Sequence, residues 1–309
     1  MSVISRRRPA RKPEGRSALY SRSYRRGYGR SYRSDRSRGR WGTRRVAGSG
    51  AIDALARLGL VARGVIYIVI GAIAVMLALG AAQHLPDRGG AVEAIASKPF
   101  GFVLLWILVI GFAGLALWKI VQAAVARLNP TETHRLKAAG TAVGYFIAFL
   151  STYWFVREGR VPASSDTTSR DLTATVMSYD GGQLIVAIAG LLIAVAGIYM
   201  VLQAIRLEFT RYLRMGWMNR RTQDTVVRLG QAGYVARGVI VFLIGVAVLD
   251  AAITYNASRA EGVDGALRTV ATEPFGPILL ILVALGLVAF GVLSFFEAKW
   301  RRTYGGVPV

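Results

Sequence analysis

Cysteine does not occur in the 309 residues, which removes disulfides, thiolate metal sites and cysteine nucleophiles from consideration. Histidine is nearly as scarce: His84 and His134 fall, by the topology derived below, on opposite sides of a membrane and cannot share a metal or a haem within one subunit. Acidic side chains are few, 17 Asp and Glu against 39 Lys and Arg. No HExxH, glycine-rich phosphate loop, carboxylate cluster or Ser/His/Asp spacing is present. The residues therefore name no catalytic group, no cofactor site and no metal ligand, and the expectation is a protein that is not an enzyme.

What the chain has instead is apolar length. A hydrophobic fraction of 53% coexists with a net charge of +22, and segregation along the chain reconciles the two. Residues 1–50 hold sixteen Lys or Arg against Glu14 and Asp35, while the rest is a succession of apolar runs with charge kept in the gaps. Crossing a hydrocarbon core of about 30 Å takes roughly 20 helical residues. Six runs qualify, near 60–83, 101–124, 138–157, 183–206, 232–254 and 277–298. In lipid only helices and closed barrels satisfy every backbone group, and runs without dyad alternation select helices. The expected fold is an all-α integral membrane protein with six transmembrane helices.

The first run begins too far into the chain for a cleaved signal with a short charged n-region, so the tail is expected to stay attached. Loops rich in Lys and Arg face the cytoplasm. Arg127, Arg135 and Lys137 lie between spans two and three, and Arg206, Arg211, Arg214, Arg220, Arg221 and Arg228 lie between spans four and five. The other loops are poorer in basic residues, so both termini are placed in the cytoplasm and the protein in the cell (inner) membrane.

A two-span pattern recurs. Leu55-Ala-Arg-Leu-Gly-Leu-Val-Ala-Arg63-Gly-Val-Ile returns as Leu229-Gly-Gln-Ala-Gly-Tyr-Val-Ala-Arg237-Gly-Val-Ile, and Lys98-Pro-Phe-Gly returns as Glu273-Pro-Phe-Gly. Gly59, Gly64, Gly71, Gly101 and Gly111 fall on Gly233, Gly238, Gly245, Gly276 and Gly286. A weaker middle copy sets Gly140 against Gly59 and Gly182 against Gly101, but puts Gly144 at the place of Arg63 and Asp180-Gly181 at that of Pro-Phe. Because each copy has an even number of spans, the three are parallel and related by rotation about the membrane normal. A pseudo-threefold bundle is the simplest closure. The organisation is then a tail over 1–50, repeat one over 51–126, repeat two over 127–210, a basic connector over 211–230, repeat three over 231–302 and an end segment over 303–309.

Each outer loop ends in a short amphipathic segment, at 91–97, 172–179 and 264–272, expected to lid the outer face. Pro99 and Pro274 suit the first turn of the following helix, where a missing N–H is no loss. The recurring glycines, and Gly140 with Gly144, read as seams where helix backbones approach closely. Ala-Arg-Gly entering the odd span, Pro-Phe-Gly entering the even one and the unit in triplicate resemble the bacterial membrane family known as domain of unknown function 1206. The resemblance covers about residues 52–302 and implies a membrane location; it carries no activity, substrate or catalytic residue.

Charge at membrane depth supplies the candidate site residues: Arg63, Lys119, Arg237, Asp250 and Glu297. Arg237 and Asp250 lie thirteen residues apart, about 20 Å along a helix, so both cannot sit in water and at least one should be held inside the bundle. Such a charge usually has a partner. Glu297 is the one expected for Arg237, whereas Arg63 meets Gln122 at the matching position and needs a partner from elsewhere. Tyr153, Trp154 and Tyr255 outside, with Trp118, Tyr199 and Trp300 inside, read as interfacial anchors.

The tail, with Arg interleaved among Tyr, Ser and Gly, cannot bury enough surface to fold alone and is expected to be disordered. Its tether to a bilayer favours anionic headgroups over nucleic acid as the partner. In the connector, Arg211, Arg214, Trp217, Arg220 and Arg221 are candidate lipid contacts, read as an in-plane helix with Trp217 and Met218 among headgroups. The function expected is a non-enzymatic interaction or organising module whose basic cytoplasmic face contacts anionic lipids or acidic partners, with any protein partner unidentified. The alternative is a small-anion channel or carrier with an axial cavity lined by Arg63 and Arg237.

Overall fold

Residues 49–82, 84–124, 132–159, 163–301, 303–304 and 307–308 are described by the structure, a computed structural model. Six long helices carry the apolar runs: α1 (Ser49–Ala78), α3 (Gly101–Ala124), α4 (Glu132–Glu158), α6 (Gly182–Ile205), α7 (Arg220–Ile253) and α9 (Gly276–Trp300). Three shorter helices, α2 (Arg88–Ala96), α5 (Ser165–Met177) and α8 (Val263–Thr272), precede the second span of each repeat. A two-residue antiparallel pairing of Thr303–Tyr304 with Val307–Pro308 follows α9. The expected disorder of the tail concerns residues outside those described, except that Ser49 and Gly50 already belong to α1.

Helix neighbours follow the order α4, α3, α1, α9, α7, α6. The first span of one repeat lies against the second span of the repeat before it, and glycine makes that possible twice. A Cβ on Gly64 would sit 2.9 Å from the Gly291 carbonyl oxygen, and one on Gly291 would sit 2.7 Å from that of Gly64. The equivalent seam joins Gly238 to Gly197, again with carbonyl oxygens 2.9 and 2.7 Å from the imagined carbons. In lipid, close backbone approach must supply through dispersion what water would otherwise drive.

The third seam is built differently. α4 meets α3 through Tyr145 stacked on Phe112 at 6.5 Å and Tyr153 edge-on to Trp106 at 6.3 Å, with Thr152 fully buried and bonded to the Ala148 carbonyl at 2.7 Å. Within repeats one and three, Gly59 packs on Gly111 and Leu115, and Gly233 packs on Phe290. No comparable seam joins α4 to α6, and nothing lies within 4 Å of a Cβ on Gly140 or Gly144. This corrects one expectation: the Gly140/Gly144 pair makes no packing seam among the described residues. The three inter-repeat seams follow the order that a pseudo-threefold bundle would give, without a comparable seam between α4 and α6 among those residues. The reason is the degeneracy of repeat two: α4 turns its aromatic side to α3 and leaves its glycines exposed.

The even spans begin with a backbone feature that the sequence conceals. Phe100 and Phe275, not the prolines, are the residues just before α3 and α9, and both adopt the left-handed region at φ 65° and 62°. Pro99 and Pro274 stand one residue earlier, outside the helices, and Pro277 occupies the first turn of α9. In repeat two Gly181 fills the same role at φ 76°. A left-handed Phe costs about 1–2 kcal/mol. Both rings are held out of the bundle, 86% and 79% exposed, where an interfacial aromatic finds its favoured medium.

The face opposite the termini is closed by the starts of α2, α5 and α8, each meeting a carboxylate from another repeat or its own. Asp87 accepts from Gly90 N–H at 2.9 Å and from Ser165 N–H at 2.7 Å, so one side chain caps helices of repeats one and two. Asp166 accepts from Gly262 N–H at 2.5 Å and Gly265 N–H at 3.0 Å, and Asp264 accepts from Ser165 Oγ at 2.6 Å and Asp166 N–H at 3.1 Å. The lids expected at the outer face are thus tied to one another by helix-start donors that have no intrahelical acceptor.

Burial pushes the Asp166 carboxyl above its ordinary range, and the neighbouring Asp264 carboxylate acts in the same direction, against the N–H groups of Gly262 and Gly265. A carboxyl raised in the folded state contributes stability that is fully present below the unfolded value, about 3.9, and lost as pH rises through the folded value. The thermal midpoint of the wild type should therefore fall relative to Asp166→Asn as pH rises from about 4, and parallel curves in detergent would contradict this. For the seams, Gly197→Ala should lower stability by about 1–3 kcal/mol because backbone cannot yield. Gly144→Ala should stay within about 0.5 kcal/mol of wild type. Thermal unfolding of both variants decides the point.

Candidate functional site: a cationic cluster in the terminal half of the bundle

The end of the bundle that bears the termini gathers cations around two aromatic rings. Arg63 enters from α1 and reaches across the glycine seam to α9. Its Nε donates to Ser294 Oγ at 3.0 Å and its Nη2 to Glu297 Oε2 at 2.6 Å. Ser294 passes the bond on by donating to the Phe290 carbonyl at 2.9 Å. Both ends of the ion pair are nearly buried, with 11% and 7% of the side chains exposed. The same carboxylate oxygen accepts from Arg301 Nη1 at 3.2 Å. Glu297 is therefore the partner of Arg63 and Arg301, not of Arg237 as expected from the sequence, because α1 rather than α7 presents its arginine on that side of α9.

Arg237 finds a ring instead. Its guanidinium lies 5.0 Å from the centre of Phe290 and 5.6 Å from that of Tyr67, while Arg63 lies 5.1 Å from the same Phe290 ring. The two arginines related by the repeat thus share one fully buried phenyl group, whose electron-rich face attracts a cation. Tyr67 and Tyr234 stand edge-on to Phe290 at 4.8 and 5.3 Å, and Phe209 stacks on Tyr234 at 5.4 Å. Sequence reasoning missed Phe290, since one phenylalanine in an apolar run gives no sign of what will surround it.

A second ring does the same for the remaining pair. Lys119 Nζ and Arg301 Cζ each lie 4.4 Å from the Trp118 ring. Trp118 is 1% exposed, a core residue and not the interfacial anchor expected. Lys119 donates to Gln122 Oε1 at 2.9 Å. Arg57 also crosses to α9, pairing with Asp53 at 2.7 Å and donating to the carbonyls of Ala298 and Lys299 at 2.7 and 3.2 Å, so that a cation covers the negative end of that helix.

Asp250 does not join this assembly. It sits near the opposite end of α7, half exposed and paired with Arg259 at 2.8 Å, so of the two charges on α7 it is Arg237 that is held inside. His84 lies 3.7 Å from Glu93, and the His134 side chain is outside the described residues. The connector is not an in-plane helix. It runs as two 3-10 turns, Glu208–Tyr212 and Met215–Trp217, and α7 already begins at Arg220, capped by Asn219, which accepts from Thr222 N–H at 2.8 Å. Met218 is buried with Leu213, Val226, Phe290 and Leu293, not placed among headgroups. Trp217 is 83% exposed, and Arg211, Arg220 and Arg221 are exposed with it, while Arg214 is half-buried and donates its N–H to the Trp300 carbonyl at 2.9 Å.

The Arg63 and Arg237 repeats coincide with the segments that a known family matches. Its description is Domain of Unknown Function (DUF1206), and it matches residues 58–126, 136–206 and 232–301. The chain belongs to the DUF1206 family. A similar protein, "Uncharacterized protein YxxB" of Bacillus subtilis (strain 168), is 28% identical over 257 residues, covering 81% of this chain and 92% of its own length. No solved structure matches. Each DUF1206 match spans one pair of long helices, so the family unit is the two-span repeat, and the cationic cluster is assembled from the first and third units with nothing equivalent from the second, where Gly144 replaces the arginine.

What this arrangement supplies is fixed positive charge around rings at one end of a membrane bundle. Removing one member of a buried pair costs about 3–5 kcal/mol because the other is left uncompensated. Glu297→Gln should therefore destabilise by about 3 kcal/mol or more, with Arg63 and Arg301 left to repel. Arg237→Gln, which forfeits contacts to rings, should cost about 1 kcal/mol. Thermal unfolding in one detergent ranks them, and equal losses would refute the pairing described.

Proposed function

We propose that this protein is a non-enzymatic module of the bacterial inner membrane, with both termini in the cytoplasm, that gathers anionic lipids or acidic partners at its cytoplasmic face. The observation that carries the reading is the charge of that end. Arg63 and Arg301 pair with Glu297 there, Arg237 lies against Phe290 and Lys119 against Trp118, and the segment 206–228 adds six arginines against Glu208 and Asp224. Arg220 and Arg221 occupy the first turn of α7, where the helix dipole is unfavourable to cations. An anionic surface facing them offsets that. The exposed Trp217 beside them is a side chain suited to the headgroup layer. The basic tail, with sixteen Lys or Arg in residues 1–50, adds about 1 kcal/mol per residue held near an anionic surface.

The carrier reading draws less support. Arg63 is bonded to Ser294 and Glu297, and Arg63 and Arg237 both lie against the buried Phe290 ring.

In vesicles of mixed phosphatidylglycerol and phosphatidylcholine, the wild type should enrich phosphatidylglycerol around itself, and added salt should weaken the effect. Trp217→Ala with Arg220→Gln and Arg221→Gln, or removal of residues 1–48, should each reduce the enrichment severalfold. Enrichment unchanged by both alterations overturns the reading.

A further inference from the structure

Arg237 differs from the other arginines of the cluster in having no oxygen beside it. Arg57, Arg63 and Arg301 each donate to a carboxylate. Arg237 lies against the rings of Phe290 and Tyr67, and among the described residues no acceptor meets its guanidinium. A ring face attracts the cation but leaves its N–H edge unfilled, a planar fork of donors. The hydroxyls of Tyr67 and Tyr234 are likewise without a hydrogen-bond partner among the described residues, although a tyrosine drawn into a protein interior ordinarily finds one. Both tyrosines, and Arg237 itself, are partly exposed.

Helix geometry places this unfilled edge inside the bundle. α7 turns Val235, Phe242 and Val246 outward, where each is exposed. It turns Gly238 and Gly245 to α6, and Gly233 and Ala236 to α9. Arg237 stands two residues from Val235, about 200° around the helix, on the inward side between the faces that meet α6 and α9. Tyr234, Val241 and Ile244 recur on that side at intervals of three and four residues, and all are partly exposed. Val248, one turn beyond Ile244 and about 16 Å along the helix from Arg237, is buried. Side chains that face inward yet stay partly exposed line a cleft, here cationic at one end, apolar along its wall and closed at Val248.

We infer that this cleft is a binding site for an acyl chain ending in a singly charged oxyanion, with Arg237 holding the head, the Tyr67 and Tyr234 hydroxyls donating beside it, and Val241 and Ile244 lying against the chain. A charge at membrane depth ordinarily has a partner, and the ligand head supplies the one that the described residues do not. One unfilled guanidinium brings one charge, so a head with a single negative charge balances it. The planar fork matches two oxygens set side by side, as in a carboxylate or a phosphodiester. A long-chain carboxylic acid and an anionic phospholipid share this chemistry. The site goes beyond the surface reading above, since Trp217, Arg220 and Arg221 take no part in it.

The full chain, purified in a non-ionic detergent and freed of carried lipid, should be titrated separately with oleate, phosphatidylglycerol and phosphatidylcholine and followed by native mass spectrometry and thermal unfolding. The wild type should retain one molecule of oleate or phosphatidylglycerol and melt higher with it. Arg237→Gln should bind it at least about tenfold more weakly, the loss expected for charge-assisted hydrogen bonds. Tyr234→Phe keeps the ring and removes only the hydroxyl. It should weaken binding about threefold while leaving the melting of the empty protein unchanged, which keeps the test decisive should Arg237→Gln fail to fold. Retention of oleate alone assigns a carboxylate and retention of phosphatidylglycerol assigns a phosphodiester; either supports the site. Phosphatidylcholine held as tightly as phosphatidylglycerol, equal affinities in the wild type and both variants, or no retained molecule overturns it. Trp217→Ala with Arg220→Gln and Arg221→Gln should keep the retained molecule, and Arg237→Gln should keep the surface enrichment of phosphatidylglycerol, so the two readings fail separately.

Discussion

Where Gly64 meets Gly291, two helix backbones approach until carbonyl oxygens stand where side chains would otherwise be, and the rest of the bundle depends on that closeness. Only at this separation can Arg63, one residue before the seam on α1, deliver its guanidinium to Ser294 and Glu297 on α9. The hydrogen bonds then fix the depth of one helix against the other, something that dispersion between apolar faces does poorly on its own. Gly238 against Gly197 repeats the approach between α7 and α6. There the neighbouring arginine, Arg237, meets no carboxylate on α6 and turns to Phe290 and Tyr67. One packing rule, applied twice, thus yields an ion pair in one place and a ring-bound cation in the other.

The two ends of the molecule use charge in opposite ways. At the face away from the termini, Asp87, Asp166 and Asp264 each receive helix-start N–H groups, and the bonds cross from repeat to repeat. Negative charge there is consumed in holding three short helices together. At the terminus-bearing end, among the described residues, Glu297 receives Arg63 and Arg301 while aromatic rings stand beside the cations, Phe290 by Arg63 and Arg237 and Trp118 by Lys119 and Arg301.

Repeat two shows how a repeated unit departs in sequence while keeping its place. Its position equivalent to Arg63 is Gly144, its position equivalent to Phe100 is Gly181, and its two long helices do not form the seam that joins their counterparts. Gly181 keeps the left-handed backbone that the turn into α6 requires, so the geometry of entry survives where the aromatic does not. Tyr145 and Thr152 replace glycines at the seam with α3, and an aromatic stack does the joining. The matched family segment covers this copy as well, so the loss is of residues and not of the unit.

Apolar runs of spanning length, the basic segments between them and the triplicate pattern were legible from the residues alone, because burying a helix in lipid depends on local composition and on little else. The boundaries of α3, α6 and α9 lie within about two residues of the apolar runs for that reason. The glycine seams of repeats one and three were legible too, since small residues on one helix face have few other uses. Which helix each seam faces was not, and so the sequence could list Arg63, Arg237 and Glu297 as charges in need of partners without pairing them correctly. Partner choice depends on helix order and rotation, set by contacts between residues far apart in the chain, such as the bond from Arg57 to Ala298, 241 positions away. The same holds for Trp118, an interfacial residue by composition and a core residue by position: Arg301, just after α9, lies against its ring, and only tertiary structure brings them together.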